Sequence, residues 1–309
     1  MSEIFHYTVT DDLHGKRLDA ALASFDDSNS RSTLGQFIKD GLVKLDGVVV
    51  TKSSTKVASG QEIELAAPER EDLDAKPENI PLDVIYEDED LIVINKPKGM
   101  VVHPASGNYS HTLVNALLYH CKDLSGINGV LRPGIVHRID KDTTGCIIVC
   151  KNDFAHVEIA KQLESKTCHR EYRAIVMGNI THDSGMIDAP IGRDARDRQK
   201  MTVTDKGSRD ARTHFEVLER FGNSTYVECS LETGRTHQIR VHMKYINHPV
   251  MGDEKYGKKC AYMDTEGQVL HAYKISFIHP RTKEEMTFTA PLPDYFNKLL
   301  DILRKERDK

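Results

Sequence analysis

The roughly 18 consecutive apolar residues that a membrane-spanning helix needs occur nowhere in this chain. No transmembrane segment is therefore expected. The opening residues, MSEIFHYTVTDDLHGKR, do not run from basic to apolar as a secretory leader does, so a cytoplasmic location is expected. The six cysteines, Cys121, Cys146, Cys150, Cys168, Cys229 and Cys260, form no CxxC pair. Free thiols are the expectation, and a structural zinc site is not. Neither GxGxxG nor GxxxxGKS occurs, so no nucleotide cofactor is indicated.

What remains is a globular composition. The chain has 309 residues, 39% hydrophobic and 29% charged, which suits two domains with real cores. A net charge of −5 argues at first against a nucleic-acid partner. Its distribution reverses that impression. Residues 1–68 carry −3, residues 69–90 carry −8 and residues 91–309 carry +6. The acidity sits in one short segment, and the large carboxy-terminal portion is mildly basic, which permits RNA binding.

Residues 15–65 are predicted to form a small α/β unit. Leu18, Ala21, Leu22 and Phe25 repeat at helical spacing. Ser32 or Thr33 is expected to cap a second helix carrying Leu34, Phe37 and Ile38 and ending at Asp40-Gly41. Asp46-Gly47 between apolar residues signals a tight hairpin. The charged segment 66–80 is predicted to be a mobile linker, with an extended packed arm as the alternative. From Leu82 onward, short runs such as DLIVINKP, GIVHRID, GCIIVCKN and EYRAIVMG are bounded by turn residues and predict strands. Helices are expected near 112–120 and 154–166. Strands and helices do not alternate regularly, so the fold class is α+β with a mixed or antiparallel sheet.

Five stretches concentrate chemistry or charge. In RPGIVHRIDKDTTG, a predicted strand at Ile135-Val136 delivers His137, Arg138 and Asp140 to a turn. Cationic neighbours suit a carboxylate nucleophile, although an aspartate that merely caps the turn fits the same residues. In LETGRTHQIRVH, Arg235, His237, Gln238 and Arg240 suit an anionic or hydrogen-bonding ligand, on a short helix capped by Thr233 or Thr236. His237 and His242 are five apart, which does not place a metal on one helical face. INKPKGMVVHP joins a strand end at Lys96 to a bend at Gly99 and to His103. HREYRAIVMG places Tyr172, a core or base-stacking residue, at the start of a strand. Residues 192–212, with seven basic and four acidic side chains, are predicted to be an exposed loop that tracks phosphates.

Taken together, these motifs resemble the RluA/RluD-type pseudouridine synthases. GIVHRIDKDTTG is similar to the signature HRLDxxTSG, INKPKGMVVHP to KPxGxxVHP, and THQIRVH to the GRTHQIRVH block, in the same order across about residues 82–295. Residues 15–65 resemble the small αL-type RNA-binding domain of the ribosomal-protein-S-four kind. Ile139 for leucine, Thr144 for serine and LDG for VNG are the departures. The resemblance implies a pseudouridine synthase fold with a mixed, largely antiparallel central sheet. It implies an RNA-binding domain over 1–68, an acidic linker over 69–81 and a catalytic domain over 82–309. It implies Asp140 as nucleophile, Tyr172 against the flipped uracil, Arg240 paired with Asp140, and Arg138 in nucleotide flipping. His137, Thr143, Arg235, His237, Gln238, Lys96 and His103 are expected to contact substrate. No cofactor or metal is expected. The expected partner is RNA, large-subunit ribosomal RNA ahead of transfer RNA, with monomer as the default state. The competing classes are a non-catalytic RNA-binding module and a metal-dependent hydrolase; the second fails on histidine spacing.

Overall fold

The computed structural model describes residues 3–25, 31–67, 75–105, 107–127, 129 and 132–309. The chain divides into two compact units, Met1–Leu73 and Asp74–Lys309.

The first unit contains β1 (Glu3–Thr8), α1 (Leu18–Phe25), α2 (Arg31–Lys39), β2 (Val43–Leu45), β3 (Val48–Val49) and β4 (Glu62–Ala67). Its strands form one antiparallel sheet in the order β1-β4-β2-β3. Leu18, Ala21, Leu22, Leu34 and Ile38 bury one face of each helix against Ile63 and Leu65. Asp46 and Gly47 both take positive φ, 50° and 82°, as the tight β2–β3 turn requires. As described, α2 begins at Arg31, which puts Ser32 and Thr33 inside the helix and not at its cap.

The acidic segment divides in two. Residues 68–74 lie outside the described residues. From Ala75 onward the chain is an extended arm on the second unit. Ala75 is buried, Asn115 donates to the Lys76 carbonyl at 2.8 Å, and the Glu78 N–H donates to the Asn115 carbonyl at 2.9 Å.

The second unit contains β5 (Val84–Glu87), β6 (Leu91–Lys96), α3 (Leu113–His120), β7 (Thr144–Cys150), α4 (Asp153–Glu164), β8 (His169–Met177), β9 (Ser184–Asp188), β10 (Ile191–Arg193), β11 (Met201–Val203), β12 (Arg212–Arg220), β13 (Ser224–Leu231), α5 (Gln238–Tyr245), β14 (Leu270–Ile278), β15 (Glu285–Thr289) and α6 (Asp294–Arg307). Nine strands make one sheet in the order β5-β6-β7-β14-β8-β13-β12-β9, with β15 also on β14. Every pairing is antiparallel except β7 with β14, so the sheet is mixed and largely antiparallel, as predicted.

Both faces of this sheet are covered, which explains the unbroken apolar runs. Ile92, Ile94, Ile147 and Val149 enter one core, while Leu91, Val93, Ile148 and Cys150 enter another. Thr112 and Asn152 cap α3 and α4 through side-chain oxygens. Among the described residues, no helix is long and apolar enough to cross a membrane.

At the parallel junction, Gly145 has φ +106°, and a Cβ there would lie 2.2 Å from the Ala272 carbonyl oxygen. Backbone strain and overpacking each cost about 1–3 kcal/mol. Gly145→Ala is therefore expected to destabilise the unit by about 3 kcal/mol or more. A denaturant melt within 1 kcal/mol of the wild type would contradict that.

Three further expectations need correction. GIVHRID is not a strand. Only Ile135 bridges to Val149, because the Ile148 N–H that a pairing strand would use is taken by the His137 ring at 3.1 Å. Residues 192–212 are not a simple loop, since β10 and β11 pair as a separate hairpin within them. Neither Thr233 nor Thr236 caps α5. The cap position is His237, Thr233 is bonded to Gln238 and Arg212, and Thr236 accepts from Arg138.

Candidate active site

Asp140 is fixed from behind by its own loop. The Thr143 N–H donates to the Asp140 carbonyl at 3.1 Å. The Lys96 ammonium, fully buried, donates to the carbonyls of Lys141, Pro97 and Met100 at 2.7–2.9 Å. The loop is thus tied to the end of β6. Burial pulls the Lys96 pKa down to about 7, against the opposing pull of Asp142 and Asp140.

From the front, α5 supplies Arg240. Its Nη1 donates to Asp140 Oδ2 at 2.8 Å. Its Nε and Nη2 grip Asp253 at 2.7 and 2.9 Å. Burial opposes the guanidinium charge, but Asp253 and Asp140 outweigh it and raise the Arg240 pKa above its ordinary value. The Asp140 side chain keeps 24% exposure, while that of Asp253 has none. One carboxylate therefore lines the cleft and the other, buried, holds the arginine.

His237 approaches the free side of Asp140, with Nε2 3.9 Å from Oδ1. It sits in the left-handed region at φ 57°, a sparsely populated state for a residue with a side chain. Its Nδ1 lies 2.7 Å from the Tyr256 hydroxyl, which also accepts the Met201 N–H. Burial lowers the His237 pKa despite the opposing pull of Asp140, which favours the uncharged ring. Tyr172, 6% exposed on β8, closes the inner wall, and burial pushes its pKa up to about 12.

Asp140, Arg240, His237 and Tyr172 line one open cleft. Ile139, Leu231 and Leu270 supply its apolar wall. A carboxylate with a fixed counter-ion, in a cleft also lined by an aromatic side chain, is equipped to attack an electrophilic carbon.

The structure gathers most of the residues singled out in the sequence. Asp140, Tyr172, Arg240, Arg138, Thr143, Arg235, His237 and Gln238 all line this cleft. Gln238 has its whole amide committed to Thr233, Arg235, Arg212 and Thr213, so it shapes the wall and has no group left for a ligand. His137, Lys96 and His103 do not line the cleft. His137 spends Nε2 on Ile148, and burial with nearby Arg170 lowers its pKa to about 3. Lys96 is occupied by carbonyls. His103 is buried, and burial with Arg132 and Arg138 lowers its pKa to about 4.

Arg170, Asp253 and Tyr256 were not anticipated. Arg170 stands two residues before Tyr172, on the same strand face, and that spacing was the available signal. Asp253 and Tyr256 lie in MGDEKYG, which carries no pattern of its own. For metals, Glu87, His120 and Cys121 bring three donor atoms within 4.8 Å of one another, but none of the three lines the cleft and Lys151 already pairs with Glu87.

Comparison with known proteins points the same way. Residues 90–245 match the family described as RNA pseudouridylate synthase, and residues 16–63 match the S4 domain. A Bacillus subtilis protein named an uncharacterized RNA pseudouridine synthase is 54% identical over 96% of this chain and 97% of its own length. A ribosomal large subunit pseudouridine synthase D of Vibrio vulnificus is 43% identical over 97% of this chain and 94% of its own. The solved structure of the human RNA pseudouridylate synthase domain containing 1 superposes with a TM-score of 0.55, at 23% identity, covering 77% of this chain and 98% of that one. That last likeness concerns the fold. With half of the chain matching the family and relatives this similar along nearly all of it, the chain belongs to the RNA pseudouridylate synthases and is an isomerase of uridine in RNA.

Proposed function

We propose that the protein converts specific uridines of large-subunit ribosomal RNA to pseudouridine, with Asp140 as the nucleophile acting on a flipped-out nucleotide. The observation that carries this reading is the ion-pair chain Asp140–Arg240–Asp253, whose partly exposed Asp140 lines a cleft walled by Tyr172. The ribosomal target is supported by relatives named ribosomal large subunit pseudouridine synthase D, 43–45% identical over 96–97% of this chain.

A uridine stacked in a helix cannot reach such a cleft, so it leaves the stack at a cost of a few kcal/mol. Arg138, exposed and bonded to Thr236 at 2.9 Å, then fills the vacated space. Asp140 then attacks the ribose C1′, as the carboxylate of a retaining glycosidase does. The C1′–N1 bond breaks and its electron pair stays on the uracil. The freed ring turns against Tyr172 and presents C5. C5 bonds to C1′ and the carboxylate leaves with the pair of its bond. Finally C5 loses its proton and N1 gains one, so the composition is unchanged.

The test is tritium release from uracil carbon-5 during incubation with unmodified transcripts. Release from a large-subunit ribosomal transcript, without release from transfer RNA transcripts, is expected. Release from transfer RNA alone would reassign the target, and none from either would reject the ribosomal reading. A primary isotope effect on 2′-deuterated uridine would make Asp140 a base at the sugar in place of a nucleophile.

A further inference from the structure

Four arginines line the cleft, and three have partners. Arg240 holds Asp140 and Asp253. Arg138 donates to Thr236, and Arg235 Nε donates to the Asp210 carbonyl at 2.9 Å. Arg170 makes no side-chain hydrogen bond or ion pair with any described residue, and its Nε is sealed from solvent. Arg173, on the opposite face of the same strand, pairs with Glu228 at 2.7 Å. A guanidinium nitrogen withdrawn from water with no acceptor is costly. An acceptor that arrives with the substrate accounts for its position.

The surroundings narrow what that acceptor is. Alternation along β8 puts Arg170 on the face of Tyr172, toward the inner wall. Gly234 lies against the guanidinium; a Cβ there would sit 2.7 Å from Nη1. The glycine thus leaves the space that the arginine fills. Phosphates of a continuous RNA run to either side of a flipped nucleotide and stay at the mouth, where Arg138 is exposed. Only the base travels to the inner wall.

We propose that Arg170 is a catalytic residue that binds the uracil ring and stabilises the negative charge the ring carries while it is detached from the ribose. This rests on the assignment of the cleft to pseudouridine formation given above. When the C1′–N1 bond breaks, its electron pair leaves with N1 and spreads over O2 and O4, while C1′ is taken by the Asp140 carboxylate. Arg170 forms and breaks no covalent bond. Its planar fork of N–H donors satisfies either carbonyl, so the anion is held as it turns to offer C5. Without such a donor the free ring lacks a counter-charge at the inner wall, since Arg240 is already divided between two carboxylates.

The test compares Arg170→Gln and Arg170→Lys, with Asp140→Asn as reference, on an unmodified large-subunit ribosomal transcript. For Arg170→Gln, kcat is expected to fall by roughly 10²–10³-fold, the usual effect of removing a donor to a developing anion. KM and its salt dependence are expected to stay within about twofold of wild type. Arg170→Lys, which keeps charge but not the fork, is expected to recover part of the lost kcat. A wild-type kcat in folded Arg170→Gln overturns the inference. So does a loss confined to KM with a shallower salt slope, the mark of a phosphate contact. If the Gln variant does not fold, the Lys variant decides: lowered kcat at wild-type KM supports the role and wild-type kcat refutes it. Turnover by Asp140→Asn would instead overturn the reading of the cleft itself.

Discussion

Asp140→Asn is expected to abolish turnover, by roughly 10⁴-fold or more, while leaving the fold and RNA affinity nearly intact. The magnitude follows from the proposed role of Asp140 as a nucleophile whose partners cannot replace it. The amide is the same size as the carboxylate, and its oxygen still accepts from Arg240 Nη1, now 2.8 Å from Asp140 Oδ2. Arg240 keeps both bonds to Asp253, so its charge is not stranded. The loop keeps its anchors at Lys96 and His137. Single-turnover kinetics, a melting curve and a binding isotherm separate the effects. More than about a hundredth of wild-type turnover in a folded Asn variant would remove Asp140 from the chemistry.

Arg240→Ala is expected to damage stability as well as catalysis. It leaves Asp253, whose side chain has no exposure, with only the Lys255 and Tyr256 N–H groups. Breaking a buried pair from one side costs about 3–5 kcal/mol. It also releases Asp140 from its one charged anchor, so turnover should fall at least 10²-fold even under conditions where the protein remains folded. Arg240→Lys keeps a charge but cannot serve Asp253 with two nitrogens and Asp140 with a third. It is expected to restore part of the stability and little of the rate. A denaturant midpoint unchanged by Arg240→Ala would show that Asp253 is satisfied in some other way.

Much of the sheet was legible because its strands are buried on both faces. DLIVINK and GCIIVC stand out as apolar runs for the same reason that Ile92 and Leu91 reach opposite cores. Asp140 and Arg240 were expected together from the resemblance of GIVHRIDKDTTG and THQIRVH to the family's motifs, while residue types alone left Asp140 equally open to a turn cap. What the sequence hid is the use made of each cation. Lys96 looks like a ligand-binding lysine in INKPKG, yet burial turns it onto three carbonyls. His137 was expected to contact substrate, yet its ring accepts the Ile148 N–H that a pairing strand would use. Arg240 was expected on Asp140, but its stronger grip is on Asp253, thirteen residues later and across a turn. Such facts depend on what is left over once backbone groups have been paired, and one chain segment read alone does not contain that information.

The place of β14 in the sheet has a consequence for how the molecule is made. Residues 270–278 lie between β7 and β8, so a late segment joins two early ones. The S4 domain can fold while the rest is still being translated. The catalytic sheet must wait, with β6–β7 and β8–β13 lacking their common neighbour until nearly the whole polypeptide has emerged. During that interval the open edges of Val- and Ile-rich strands are exposed, and the native sheet depends on the chain being finished before those edges find another partner.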